Sequence, residues 1–270
     1  MLRWWSTVLY VPGLYITGFL LSRPLAWAAP AWRPDQVDLA GVSLSFALLL
    51  ATLPWRLRTA WGATQPWRTL GLAVSPGQAL AGIAMGLTKA IALLLLVSLA
   101  LLFSQQARWQ GATDAGLLAN ALLLACGVGL AEELLFRGWL WGELRLRLNG
   151  QRALLAQALV FGLVHPWYRE PGLLALSLLG ALTLLGVVLA RERELGKGAL
   201  WGPAALHGGL VGGWFLLQNG LLTVSAQAPG WWAGPSGMTS GTNPLGGAIG
   251  WLGLLGLLLY QQRRGHSLGR

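Results

Sequence analysis

Apolar runs close to the length needed to cross a bilayer recur along the whole chain, and no ordinary soluble fold can bury them all. They occupy residues 9–21, 39–54, 79–103, 117–131, 153–164, 173–190, 199–217 and 245–260. A helix needs about 20 residues, each rising 1.5 Å, to cross a hydrocarbon core of about 30 Å. Composition points the same way: 55% of the 270 residues are hydrophobic and 10% are charged, against roughly 25% charged in a soluble domain. The pattern predicts an all-α, polytopic membrane protein of about eight transmembrane helices. It reads as a single membrane domain over residues 1–270, with no internal repeat and no soluble linker. The run from Ala153 is short and must borrow flanking residues.

The net charge of +10 suits topology better than nucleic acid, because the basic residues lie between the runs and form no single patch. With a cytoplasmic N-terminus, one set of alternate loops carries Arg3, Arg56, Arg58, Arg68, Arg137, Arg145, Arg147, Arg152, Arg191, Arg193, Lys197, Arg263, Arg264 and Arg270. The opposite loops carry only Arg23, Arg33, Arg108 and Arg169. That bias predicts both termini on the cytoplasmic side of a multi-pass protein. The first run resembles a signal peptide, but Arg23 soon after it argues for a retained span. The uncharged stretch 218–244, rich in Gly, Ser and Pro, reads as an outer loop, and tryptophans such as Trp4, Trp5, Trp55, Trp109 and Trp167 read as interfacial anchors.

A few polar groups interrupt the apolar runs, and an ionisable group inside a span is a functional hypothesis by default. Cys126 stands alone in its run, which leaves neither a disulfide nor a cysteine zinc site and suggests a buried packing role. Lys89 reads as snorkelling to the cytoplasmic interface. In "AEELLFRGWL", Glu133 and Arg137 are four apart and can pair, while Glu132 points about 100° away and is free to face something else. The plain alternative is an ordinary ion pair at a helix end. His266 lies in the basic tail, whereas His165 in "FGLVHPW" and His207 in "WGPAALHGGLVGGWF" sit in or beside apolar runs. Each alone reads as a core histidine. Two histidines with an intramembrane carboxylate suit the activation of water.

These motifs resemble the CAAX prenyl-protease and bacteriocin-processing intramembrane proteases. That family carries EExxxR, then FxxxH, then a histidine followed four residues later by Asn or Asp, each on its own transmembrane helix. Here "EELLFR" spans Glu132 to Arg137 and "FGLVH" spans Phe161 to His165; the third motif keeps His207 but has Val211 in the polar position. The resemblance places a catalytic core at about 117–214. It implies an intramembrane endopeptidase acting on a membrane-associated or prenylated peptide near the cytoplasmic side. Glu132 would activate water, Glu133 and Arg137 would support it, and His165 and His207 would bind a metal or the scissile carbonyl. Glu132 with the two histidines also matches a zinc ligand set of two His and one Glu, so Zn is the cofactor to test. The implied partners are the lipid bilayer and a membrane-associated peptide or protein.

Two rival readings keep the same residues: a non-catalytic relative that binds a membrane partner, which Val211 favours, and a proton-coupled transporter using Glu132, Lys89 and the histidines. Trp214, seven residues after His207 and about 20° from its face, reads as packing or as a donor replacing the missing polar residue. Depth is a constraint of its own, since Glu132 lies near a loop while His165 comes about 20 Å of helix after Arg152. The two can meet if the fourth helix continues through "GWLWGELRLRL". The charge bias yields a direct test: reporter fusions at Arg270 should read as cytoplasmic and fusions within 218–244 as external. An external C-terminus would overturn the eight-span topology.

Overall fold

The computed structural model describes residues 4–237 and 241–268. It is that of an all-α membrane protein, and its chain divides into two compact units, Met1–Thr69 and Leu70–Arg270. The first unit holds α1 (Trp4–Ser22), α2 (Leu25–Ala28), α3 (Pro34–Trp61) and α4 (Pro66–Thr69). Pro34 opens α3, the Gln36 side chain accepts the Arg33 N–H at 2.9 Å, and Gly62 ends the helix with φ 65°, a conformation that glycine adopts without a Cβ penalty. Within this unit α1 lies along α3, and Tyr10 and Thr52 share a hydrogen bond of 2.7 Å.

The second unit begins with α5 (Pro76–Phe103), whose first turn is capped by Ser75. Strand β1 (Ala107–Trp109) leads to α6 (Ala115–Glu133), capped by Asp114, and the helix then widens into a π segment, Leu134–Leu140, before α7 (Trp141–Arg145). After a short turn come α8 (Gly150–Val164), capped by Asn149, α9 (Gly172–Leu195) and α10 (Trp201–Leu216). A second π segment, Leu217–Leu221, precedes β2 (Leu222–Val224), α11 (Gly230–Ala233), β3 (Ser236–Gly237), β4 (Gly241–Thr242) and α12 (Ala248–Leu268).

Every apolar run of the sequence falls mainly on one helix: α1, α3, α5, the continuous α6–α7, α8, α9, α10 and α12. Among the described residues five helical stretches are long and apolar enough to cross a membrane: Trp4–Ala28, Pro34–Trp61, Pro76–Phe103, Ala115–Arg145 and Gly172–Leu195. Helix α8 stays short; its 15 residues rise about 22 Å.

Three expectations are corrected. The stretch 218–244 is more ordered than a simple outer loop: β2 pairs antiparallel with β1, β3 with β4, and the backbone N–H of Ala112 reaches the Gly220 carbonyl at 2.8 Å. Polar backbone without water partners has to find protein ones. Lys89 does not snorkel. It is buried and pairs with Glu192 on α9, whose carboxylate also accepts from Gln261 on α12 at 2.9 Å. Cys126 is exposed on the outer side of α6 instead of packed inside. The side chain of His266, expected on the solvated surface, lies outside the described residues.

Helix α10 sits between α5 and α6, and small residues set how closely. A Cβ on Gly208 or Gly212 would collide with the carbonyls of Ala125 or Ala121 on α6, and one on Gly129 would come within 2.6 Å of the Ala204 carbonyl. Without side chains in the way, backbones approach closely, as small-residue interfaces in membranes do. Gly208→Val should therefore lower the thermal midpoint in detergent, with a cost of at least ~1–3 kcal/mol for overpacking. Gly127→Ala, where an added Cβ meets nothing within 4 Å, should leave it unchanged or raise it. Equal midpoints for Gly208→Val and the parent would remove the close α6–α10 contact from the account.

Candidate active site

Continuity of α6 through the π segment into α7 resolves the depth constraint. Helices α6 and α7 form one stretch, Ala115–Arg145, so Glu132 lies about 20 Å before its end at Arg145, and His165 lies about 22 Å after the start of α8 at Gly150. The two arms leave the same short turn, so equal rises bring both groups to one level. Arg137, which the charge count placed in a loop, is inside this helix with no exposed surface. It belongs to the π segment that starts directly after Glu133. Such widened turns occur often at functional sites.

Glu133 forms the buried centre. Its Oε1 accepts from Arg137 Nη1 and from His207 Nδ1, each at 2.8 Å, and its side chain is fully buried. Arg137 also donates to the Gly186 carbonyl at 3.3 Å, and its guanidinium lies 4.2 Å from the centroid of the Phe161 ring. Gln157 reaches the same Gly186 carbonyl at 3.2 Å. The backbone of the π segment is held as well: Arg193 donates to the Arg137 carbonyl and to the carbonyls of Gly198 and Leu70, both at 3.0 Å.

Both imidazoles are oriented by what their Nδ1 atoms meet. His207 Nδ1 faces the Glu133 carboxylate and His165 Nδ1 lies 2.6 Å from the Phe161 carbonyl. An oxygen acceptor at each Nδ1 places a proton there and leaves Nε2 pointing inward. The two Nε2 atoms converge on Glu132 Oε2, at 3.5 Å from His165 and 3.9 Å from His207. That oxygen is buried and has no hydrogen-bond partner among the described residues. Phe161 spaces the rings, its centroid 4.4 Å from that of His165 and 5.6 Å from that of His207. The structure thus brings Glu132, Glu133, Arg137, His165 and His207 together. It leaves Lys89 in its separate pair with Glu192.

A cavity of about 330 Å³ adjoins the two histidines, walled chiefly by leucines of α5, α9, α10 and α12. Val211 and Trp214 line it, but the Trp214 indole N–H is given to the Thr242 carbonyl at 2.7 Å and its ring packs beside the cluster of Val97, Leu101 and Ile249. That bond removes the tryptophan as a replacement donor for the reaction. The zinc set is not supported: ligands 2.0–2.1 Å from a tetrahedral zinc stand about 3.4 Å apart, the Glu132–His165 edge is close to this at 3.5 Å but the Glu132–His207 edge is longer at 3.9 Å, and no metal-holding group of three His, Cys, Asp or Glu stands among the described residues.

Sequence reasoning missed Gln157 and Arg193. Gln157 had a signal, a lone amide in an apolar run one side of His165; Arg193 had none, since its role depends on a carbonyl 56 positions away. Arg137→Met should leave Glu133 buried beside His207 alone and lower stability by about 3–5 kcal/mol. The double variant Glu133→Gln/Arg137→Met should recover part of that loss in the same unfolding measurement. An unchanged midpoint for Arg137→Met would mean that the pair carries no net stability.

Residues 1–65 match a domain of unknown function, DUF8676, and residues 114–212 match the family described as type II CAAX prenyl endopeptidase Rce1-like. No curated protein and no solved structure matches the chain significantly. The second match covers Glu132, Glu133, Arg137, His165 and His207 together. Over residues 114–212 the chain is similar to the Rce1-like type II CAAX prenyl endopeptidase family, and this likeness supports an intramembrane protease of that general type.

Proposed function

We propose that this domain hydrolyses a peptide bond of a membrane-associated or prenylated peptide near the cytoplasmic side of the bilayer, with a catalytic core at about 117–214. The observation that carries the reading is the partnerless Oε2 of Glu132, faced by two inward-pointing Nε2 atoms beside an apolar cavity. A water held there would lose its proton to Glu132 as its oxygen attacks the scissile carbonyl. In their doubly protonated form, with Nδ1 held by its oxygen acceptor and a second proton on Nε2, His165 and His207 would polarise that carbonyl and stabilise the oxyanion. Collapse of the tetrahedral intermediate breaks the C–N bond, and the proton held by Glu132 passes to the leaving amine. Glu133 and Arg137 act through His207, whose ring they orient, and are positioning residues. The apolar walls suit a substrate presented from the lipid phase, and the charge bias of the loops supports both termini on the cytoplasmic side.

No step is assigned to a metal. The roles divide by environment: Glu133 is sealed and paired, while Glu132 keeps 30% of its side-chain surface exposed. Glu132→Gln keeps size and hydrogen bonding but removes the base. Assayed with purified full-length protein on a farnesylated peptide, it should lose ~10²–10⁴-fold in turnover, with the thermal midpoint of the parent. Undiminished cleavage by this variant would end the assignment of Glu132.

A further inference from the structure

A second hollow, of about 550 Å³, lies between α5 and α12 and includes none of the five site residues. The two helices run antiparallel along it. Gly253 sits against Leu93 and Leu96 at one end, and Tyr260 faces Lys89 at the other, with the ammonium 6.0 Å from the ring centroid. From Ala84 to Leu96 the wall rises about 18 Å, close to one leaflet of a 30 Å hydrocarbon core, which is about 15 Å. Leu96, Leu252 and Tyr260 are exposed along its rim.

The ends of this groove differ in kind. One is leucine and glycine. The other has Tyr260, Lys89 and Arg264, with the Arg264 guanidinium 5.9 Å from the Tyr260 ring centroid. Among the described residues no acidic side chain lines the groove; Glu192, which balances Lys89, is buried behind it. An apolar slot one leaflet long, with an aromatic ring and cations at its polar end, has the layout of a lipid held tail-first. Tyrosine favours the headgroup level and basic residues near it favour anionic headgroups. A second copy of this chain would answer the cations poorly, since the sequence has 19 basic residues against nine acidic ones.

We propose that this groove binds an anionic phospholipid, one acyl chain lying between α5 and α12 and the headgroup phosphate at Arg264. Gly256 supplies a clean test. It lines the groove, and an added Cβ there meets nothing within 4 Å, so Gly256→Leu fills the slot without a clash at its root. Purified full-length protein in detergent would be given phosphatidylglycerol or phosphatidylcholine with identical acyl chains, and bound lipid counted by native mass spectrometry. The parent should retain phosphatidylglycerol about fivefold better, the effect of roughly one basic residue at an anionic headgroup. Gly256→Leu should abolish retention, and Arg264→Gln should remove the preference while leaving the thermal midpoint unchanged. Equal retention of the two lipids by the parent, undiminished retention by Gly256→Leu, or a cross-linked dimer that Gly256→Leu dissolves in the absence of bound lipid would each overturn the proposal.

Discussion

One carboxylate oxygen, Oε1 of Glu133, accepts both the Arg137 guanidinium and the His207 ring at 2.8 Å, and most of the second unit is arranged to allow it. An unpaired carboxylate in a low-dielectric interior carries an idealised cost of order 20 kcal/mol, so Glu133 is tolerable only while its partners stay in place. Arg137 is on the same helix and arrives automatically. His207 comes from α10, and it can reach α6 only because Gly208 and Gly212 leave the carbonyls of Ala125 and Ala121 unobstructed. The same oxygen orients the His207 ring and turns its Nε2 towards Glu132. Stability and site geometry therefore rest on a single set of contacts.

Adjacent glutamates acquire opposite characters from a 100° turn of helix. Glu133 faces the protein and is saturated, whereas Glu132 faces the histidines with one oxygen unsatisfied. A buried polar atom without a partner is costly and rare in native structures. Here the two histidines whose Nε2 atoms face it also line the apolar cavity. The neighbouring Phe161 ring helps by taking the Arg137 guanidinium on its face and the His207 ring against it, so the charges are screened from lipid by an aromatic surface instead of by water.

Much of this was legible in the sequence, for reasons that also explain what was not. Run lengths report helices because a bilayer demands them, and the four-residue spacing of Glu133 and Arg137 reports their pair because neighbouring turns are fixed by the helix itself. The facing of an apolar helix is not written in the same way, since lipid and protein interior are both apolar and leave no hydrophobic stripe to read. Hence Cys126, expected inside, lies outside, while Lys89 lies inside. Long-range partners are equally silent: Glu192 is 103 positions from Lys89, and Thr242, which occupies the Trp214 N–H, is 28 positions away.

The π segment is the least legible element, because "LLFRGWL" has nothing that distinguishes it from plain helix. A turn closed by i→i+5 bonds contains one residue more than an α-turn, so it rotates Glu132 and Glu133 relative to the helix that follows. A widened turn also needs its backbone held. Arg193 does this from α9, donating to the Arg137 carbonyl while its other nitrogens take Gly198 and Leu70. A guanidinium suits the task because its donors are fixed in a planar fork, whereas an ammonium is a point charge that cannot span three carbonyls from separate segments. The arginine beside Glu192 thus binds the π segment to the turn that launches α10. The angle at which the glutamates leave α6 and the place from which His207 enters are set at one junction.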